Sequence, residues 1–400
     1  MTDARLAGVD AFYQTKVDDG RIAGIAYAVA GSDGVIHQSA IGYADLEAGT
    51  PLALDTVFRL YSMTKPLTAV ALMLLYEDDR FSLDEPIANY LPEFAELRVL
   101  RSATAAPDDT VPAAHPISIR DVLRHTAGLG LGLGMGGAGE QLLAREVMYQ
   151  PDETLADQMR KVARTPLCWQ PGSVWQYSLA PDLQARLVEI LSGQPFDAFL
   201  QQRVLDPLGM ADTSFAPRPD MVDRLTKLYR VKDDALASWS PEDPPALPFD
   251  LAWPAALVDL NDTSLHYIRG AFGLYSTLGD YLRFARMLLN GGTFEGQRIL
   301  APETLALMTT DQLGDIPMLW DVQGLGFGLG FALIRDPAKT LSGGTAGTFY
   351  WDGAAGTVFW VDPERDLAVV AMVQHLLVPG VDPHALDAEL HHQLYPALFG

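Results

Sequence analysis

The strand-forming segments of this 400-residue chain stand at its two ends, with a mainly helical stretch between them. Residues 22–30 (IAGIAYAVA) and 34–43 (GVIHQSAIGY) are β-forming runs joined by Gly31-Ser32-Asp33-Gly34, a hairpin signal. Far along the chain, Thr357-Val358-Phe359-Trp360-Val361 and Leu367 to Val373 flank Asp362-Pro363-Glu364-Arg365-Asp366, a second hairpin. A last helix is expected from about Pro383 to Leu394. Hairpins without regular βαβ alternation argue against a doubly wound parallel sheet. The economical architecture is α+β: an antiparallel sheet built from both chain ends and flanked by helices, with a mainly helical insertion.

Helical spacing marks the middle. Leu67, Val70, Ala71, Leu74 and Leu75 follow it after Ser62 and read as an amphipathic helix. So do Leu183, Leu187, Ile190 and Leu191, which end near Gly193. Tyr281 to Leu289 forms another such segment, stopped by Asn290-Gly291-Gly292. Three stretches read as irregular: 101–117, the Gly-rich 127–139, and 233–256 with its five prolines, a lid or an ordinary surface loop. The Gly-rich tract lacks the Gly-Lys-Ser/Thr ending of a phosphate loop.

A formal net charge of −23 argues against nucleic acid and anionic membrane surfaces as partners. No run reaches the length of a membrane span. The N-terminal segment has no apolar core of the signal-peptide kind, so the cytoplasm is the expected compartment. The single cysteine, Cys168, leaves no internal disulfide and reads as a small buried residue. No oligomeric state follows from these features.

Ser62-Met63-Thr64-Lys65 is the one Ser-x-x-Lys in the chain, which has only six lysines. At the first turn of a helix the two side chains share a face. Unpaired N–H groups there favour a developing oxyanion, so Ser62 can attack a carbonyl while its own N–H holds the charge. Pro66 is tolerated in the first turn. Burial would lower the pKa of Lys65 and make it a base. Taken alone the motif is weak, and a capping serine beside a solvated lysine is its ordinary reading.

Two further elements bear on it. Tyr177, in Trp175-Gln176-Tyr177-Ser178-Leu179, lies in a turn just before a helix and could exchange protons with the nucleophile and leaving group; alone it reads as a packing tyrosine. Trp351-Asp352-Gly353-Ala354-Ala355-Gly356-Thr357 enters a strand, and its small residues would let a substrate approach the backbone, with Ala354 N–H as a second oxyanion donor. Other mechanisms fare worse. There is no Gly-x-Ser-x-Gly and no His-Glu-x-x-His, and the eight histidines show no metal spacing; adjacent His391 and His392 point to different helix faces. His125 reads as a structural hydrogen-bonding residue. No metal or organic cofactor is required.

In this order and spacing the elements resemble the serine β-lactamase and penicillin-binding-protein superfamily, and within it the class C-like family VIII carboxylesterases. Phe58 to Lys65 looks like the nucleophile motif, and Leu123 to Leu129 like Leu-x-x-His-Thr-(Ser/Ala)-Gly-Leu. Pro171 to Ser178 looks like the tyrosine motif; Gly273-Leu274-Tyr275-Ser276-Thr277 and Trp351 to Thr357 complete the set. The resemblance implies a serine β-lactamase-like fold of two regions: a sheet domain over 1–75 and 255–400, and an inserted helical domain over 76–254. The site would lie at their junction. Two departures stand out. Leu179 occupies the place of an asparagine, and Trp351-Asp352-Gly353 that of Lys-Thr-Gly. Lys339-Thr340-Leu341, a possible displaced substitute, lacks the glycine and lies too far before the strand 357–361. Without a lysine to bind a carboxylate, the site is expected to favour uncharged groups.

The expected activity is therefore hydrolysis of a small, uncharged, short-chain ester through an acyl-enzyme on Ser62. Lys65 and Tyr177 would act as a coupled proton-transfer pair, the N–H groups of Ser62 and Ala354 as the oxyanion hole, and Trp351, Gly353, Tyr61 and Leu179 as substrate-binding residues. Rival readings are acyl transfer to an alcohol or amine, β-lactam or D-alanyl peptide hydrolysis, and a catalytically dead binding or sensor protein.

Overall fold

The computed structural model describes residues 3–132, 137–147, 153–232, 235–239, 268–319, 323–340, 343–376 and 385–400. The ten strands used below are β1 (Gly24–Gly31), β2 (Gly34–Asp45), β3 (Thr50–Pro51), β4 (Val57–Arg59), β5 (Tyr275–Thr277), β6 (Leu325–Phe327), β7 (Ala332–Ile334), β8 (Phe349–Gly353), β9 (Thr357–Asp362) and β10 (Leu367–Met372). Eight of them form one antiparallel sheet in the order β6-β7-β8-β9-β10-β1-β2-β3. The expected α+β architecture is what the chain adopts. The two ends meet where β1 pairs with β10, Val29 opposite Val369 and Ala30 opposite Ala368. Both strands are buried along their whole length, which is why their sequences are near-continuous apolar runs rather than alternating ones.

Helices cover both faces of the sheet. On β9 successive side chains point to opposite sides, and Phe359 and Trp360 show the two coverings. Phe359 meets Tyr281 and Phe284 of the helix α4 (Leu278–Leu289), with ring centroids 5.2 and 6.1 Å apart. Trp360 stacks at 3.9 Å on His391 of α5 (Ala385–Phe399), which also packs on the first helix, α1 (Ala7–Asp18). The start expected for α5 at Pro383 lies outside the described residues, and the helix runs on past Leu394.

The helix after the nucleophile motif corrects the sequence reading. Ser62 sits in a 3₁₀ turn, Tyr61–Met63, and the α-helix α2 runs Thr64–Glu77. It is not amphipathic: every residue from Thr64 to Leu75 is buried. Apolar residues surround the helix axis, so α2 is a central helix of the core. It packs against α3 (Ala180–Ser192), which ends at Gly193 in the left-handed conformation, φ 72°. Two segments read as irregular carry short ladders: Thr110–Pro112 pairs with Arg98–Leu100, and Ala235–Ser238 pairs with Tyr229–Lys232. Residues 233–234 and 240–256 of the expected loop, the Gly-rich residues 133–136 and the expected domain boundary at 254–255 lie outside the described residues. Among the described residues, no helix is long and apolar enough to cross a membrane.

Candidate active site

The turn that carries Ser62 is held from three directions. Leu60 N–H donates to Leu274 O at 2.9 Å, and Leu274 N–H donates to Thr64 Oγ1 at 3.3 Å. The Tyr281 hydroxyl donates to Met63 O at 2.9 Å. One residue upstream, Gln374 clamps both backbone groups of Arg59, accepting from its N–H at 3.0 Å and donating to its carbonyl at 3.1 Å. Within this frame Tyr61 has φ +48°, a conformation that a bulky residue rarely adopts. Local strain therefore sits directly beside Ser62.

Lys65 is buried, 5% exposed, and donates to Ser62 Oγ at 3.0 Å and to Ala271 O at 2.7 Å. Its Nζ lies 4.8 Å from the centre of the Tyr177 ring. Burial pulls its pKa down to about 7, and the carboxylates of Asp182 and Asp352 oppose part of that fall. Tyr177 donates to Ser62 Oγ at 2.7 Å. Burial pushes its phenol well above the usual range, so it carries its proton at neutral pH. The serine hydroxyl thus lies between an amine poised near neutrality and a protonated phenol.

Tyr177 is placed by a loop zipped to the Leu123–Leu129 segment. Gly172 N–H donates to Thr126 O at 2.8 Å, Gln176 N–H to His125 O at 3.0 Å and Leu179 N–H to Gly130 O at 3.0 Å. Glu140, in the helix Ala138–Glu146, is buried and accepts from Gly132 N–H at 3.0 Å and Gln176 Nε2 at 3.1 Å, tying the Gly-rich loop to the tyrosine loop. Rings surround the phenol: His125 at 5.4 Å and Trp351 at 5.3 Å, with Phe327 5.3 Å from His125 and 5.6 Å from Trp351. His125 Nδ1 bonds Ser178 Oγ at 2.9 Å, and burial with the Lys65 charge holds the imidazole down at about 3, so it is neutral. It keeps the structural role expected of it.

The strand edge meets the nucleophile turn directly. A Cβ on Gly353 would stand 2.2 Å from Thr357 Oγ1 and 2.3 Å from Leu60 O, so only glycine fits. Ala354 and Ala355 pack with Tyr61 and Leu228, which brings the 354 turn beside Ser62. Trp351 is nearly buried against Tyr177 and Phe327. Two expected binding residues are placed differently from the reading. Leu179 is wholly buried at the N-cap of α3, so its side chain offers no open surface to a ligand. Tyr61 is buried, and its hydroxyl has no hydrogen-bond partner among the described residues. Lys339 pairs with Asp336 at 2.9 Å and is more than half exposed. Among the described residues no three His, Cys, Asp or Glu side chains gather as a metal site would need.

Sequence reasoning missed Asp182, Phe327, Glu140 and Gln374. Asp182 is fully buried, accepts from Ala271 N–H at 2.9 Å and from Gln158 Nε2 at 3.2 Å, and so fixes the segment whose carbonyl holds Lys65. An acid in the first turn of a helix is an ordinary sight, and only its burial singles it out.

The chain resembles known proteins along nearly its whole length. The profile of the Beta-lactamase family matches residues 9–393. Protein Rv1367c of Mycobacterium tuberculosis is 35% identical over 393 residues, covering 96% of this chain and 93% of its own. Esterase EstB of Burkholderia gladioli is 32% identical over 378 residues, covering 92% and 89%. The solved structure of EstCE1, described as a hydrolase with promiscuous acyltransferase activity, superposes with a TM-score of 0.79 at 29% identity, covering 99% of this chain and 98% of its own. With matches this long in profile, sequence and fold, the chain belongs to the beta-lactamase family.

Proposed function

We propose that this protein is a serine hydrolase, and within that class a carboxylesterase that cleaves uncharged, short-chain esters through an acyl-enzyme. The observation that carries the reading is the position of Ser62 Oγ, 3.0 Å from Lys65 Nζ and 2.7 Å from Tyr177 Oη. Lys65, neutral above about pH 7, takes the Ser62 proton as Oγ attacks the ester carbonyl. The N–H groups of Ser62 and Ala354 hold the oxyanion. When the C–O bond breaks, Tyr177 gives its proton to the leaving alcohol, and the Lys65 ammonium restores it. Water then attacks the acyl-enzyme; its proton goes to the same pair, and the acid leaves with Ser62 regenerated. The pair titrates as a unit. The site lies between the proposed sheet domain (1–75 and 255–400), which supplies Ser62, Lys65 and Trp351, and the proposed helical domain (76–254), which supplies Tyr177. A small-molecule ester is the one partner this chemistry calls for.

Trp351 in place of a cation supports uncharged substrates over β-lactams or D-alanyl peptides. Likeness to EstCE1 favours acyl transfer to an alcohol as a second outcome of the same acyl-enzyme.

The test is a fluorophosphonate probe with peptide mass mapping, alongside p-nitrophenyl esters of rising acyl length. An adduct on Ser62 and ester turnover lost in Ser62→Ala are expected. Full turnover in that variant would sink the nucleophile, and no adduct at all would favour a dead binding protein. Product partition with added alcohol separates transfer from hydrolysis. Nitrocefin turnover rivalling that of short esters would point to a β-lactamase.

A further inference from the structure

β8 outruns its neighbour. The β7–β8 ladder pairs only Ala332 with Tyr350 and Leu333 with Phe349. Trp351, Asp352 and Gly353 are paired on the other side by β9, and no strand covers their free edge among the described residues. Of these three residues, Trp351 and Gly353 are buried against Tyr177 and Leu60, while Asp352 is half-exposed. In the strand it stands between Trp351, which packs on Tyr177, and Gly353, which packs on Leu60 O, and its charge favours the protonated forms of both Lys65 and Tyr177.

Among the described residues, the other charges at the site, Asp182 and Lys65, are inward. Asp182 is wholly buried, its oxygens engaged by Ala271 N–H and Gln158; burial raises its pKa, and Arg269, the Ala271 N–H and Lys65 oppose part of that rise. Lys65 is buried behind Ser62. A substrate laid along the edge of β8 therefore meets Asp352 as the charge nearest solvent. Resting on the esterase reading above, we propose that Asp352 is a charge filter: the site takes esters that are neutral or cationic beside the scissile carbonyl and rejects those that carry a carboxylate there. This goes beyond the lack of a binding cation. A missing lysine is indifferent to an anionic group, whereas a carboxylate at that place repels it. Like charges ~6 Å apart at an effective dielectric of ~40 alter a rate by about tenfold.

The test compares kcat/KM for three p-nitrophenyl esters of similar acyl size: the butyrate, the hemisuccinate and the 4-(trimethylammonio)butyrate. Wild type and the near-isosteric Asp352→Asn are each measured at one pH, and each charged ester is scored as a ratio to the neutral one. Any common change through Lys65 then cancels. Asp352→Asn should raise the anionic ratio by about tenfold and lower the cationic ratio. In wild type alone, raising the ionic strength from ~0.01 to ~0.5 M should bring the two ratios together. Ratios within about twofold of wild type in Asp352→Asn, and insensitive to salt, overturn the filter. Ester turnover that survives in Ser62→Ala instead overturns the esterase reading, so the two failures are told apart.

Discussion

Two polar clusters that each set a tyrosine beside a titratable partner invite comparison, and the proposed function assigns reaction to only one of them. The first joins Asp10 on α1, Tyr27 on β1 and His37 on β2. The Tyr27 hydroxyl donates to Asp10 Oδ1 at 2.7 Å, and His37 Nε2 lies 3.2 Å from the same oxygen. His37 Nδ1 accepts from Asp3 N–H at 3.2 Å, so Nε2 carries the ring proton. The second is Ser62, Lys65 and Tyr177. By residue type the first cluster, with its Asp and His, is closer to a nucleophilic triad. It stands on a regular helix and two paired strands, with each hydrogen received by an acceptor. Lys65, by contrast, meets a hydroxyl and a carbonyl, with no carboxylate in contact, beside a residue of positive φ. On the proposed mechanism, reactivity comes from an under-compensated amine beside a strained turn, and the better-matched cluster is a fastener.

The largest expected effect breaks the comparison at its strong end. Ser62→Ala should lower kcat/KM by ~10⁴-fold or more. His37→Ala, in the fastening cluster, should leave ester turnover near wild type and cost ~1–3 kcal/mol of stability in urea unfolding. Equal losses of activity in both variants would erase the distinction.

The pH profile sharpens it. A base with a pKa of about 7 is protonated and silent below that value, so kcat/KM should climb with pH and level off above it. Asp182→Asn removes an anion that favours the ammonium, and the midpoint should move to lower pH. An unmoved midpoint would mean that Asp182 serves only to hold the Ala271 backbone.

Geometry gives a smaller effect. Gly353→Ala would place a methyl 2.3 Å from Leu60 O and force the β8–β9 turn off the nucleophile. A loss of ~1–3 kcal/mol in stability is expected, with the fall in kcat exceeding the change in KM. Least of all, Tyr27→Phe should cost ~1 kcal/mol and no activity, because it deletes one hydrogen bond of the fastener.

Much of this was legible in the sequence. Both hairpins, α3, α4 and the order of the motifs follow from local patterns: turn residues between β-branched runs, and apolar spacing of 3.6. Ser62, Lys65 and Tyr177 were found as types, and the structure brings them together. What escaped depends on distance along the chain. Gln374 clamps Arg59 across 315 residues, and nothing local marks a glutamine for that task. Phe327 lies on the three-residue strand β6, too short to show an alternation. α2 read as amphipathic because its leucines keep helical spacing, yet Met73, Ala69 and Leu72 complete its girth. The place of Leu179 after Tyr177 suggests a binding surface, and the turn into α3 buries it.

The pairing of β1 with β10 has a consequence for how the protein comes into being. Ala26 waits for Met372, and the turn that carries the nucleophile waits for Gln374. Contacts of such sequence separation make folding slow. During synthesis the emerging chain can form its hairpins and helices, but its central sheet stays open until β10 and Gln374 have been made. A chain that stops short of Gln374 therefore cannot assemble the clamped Ser62 turn.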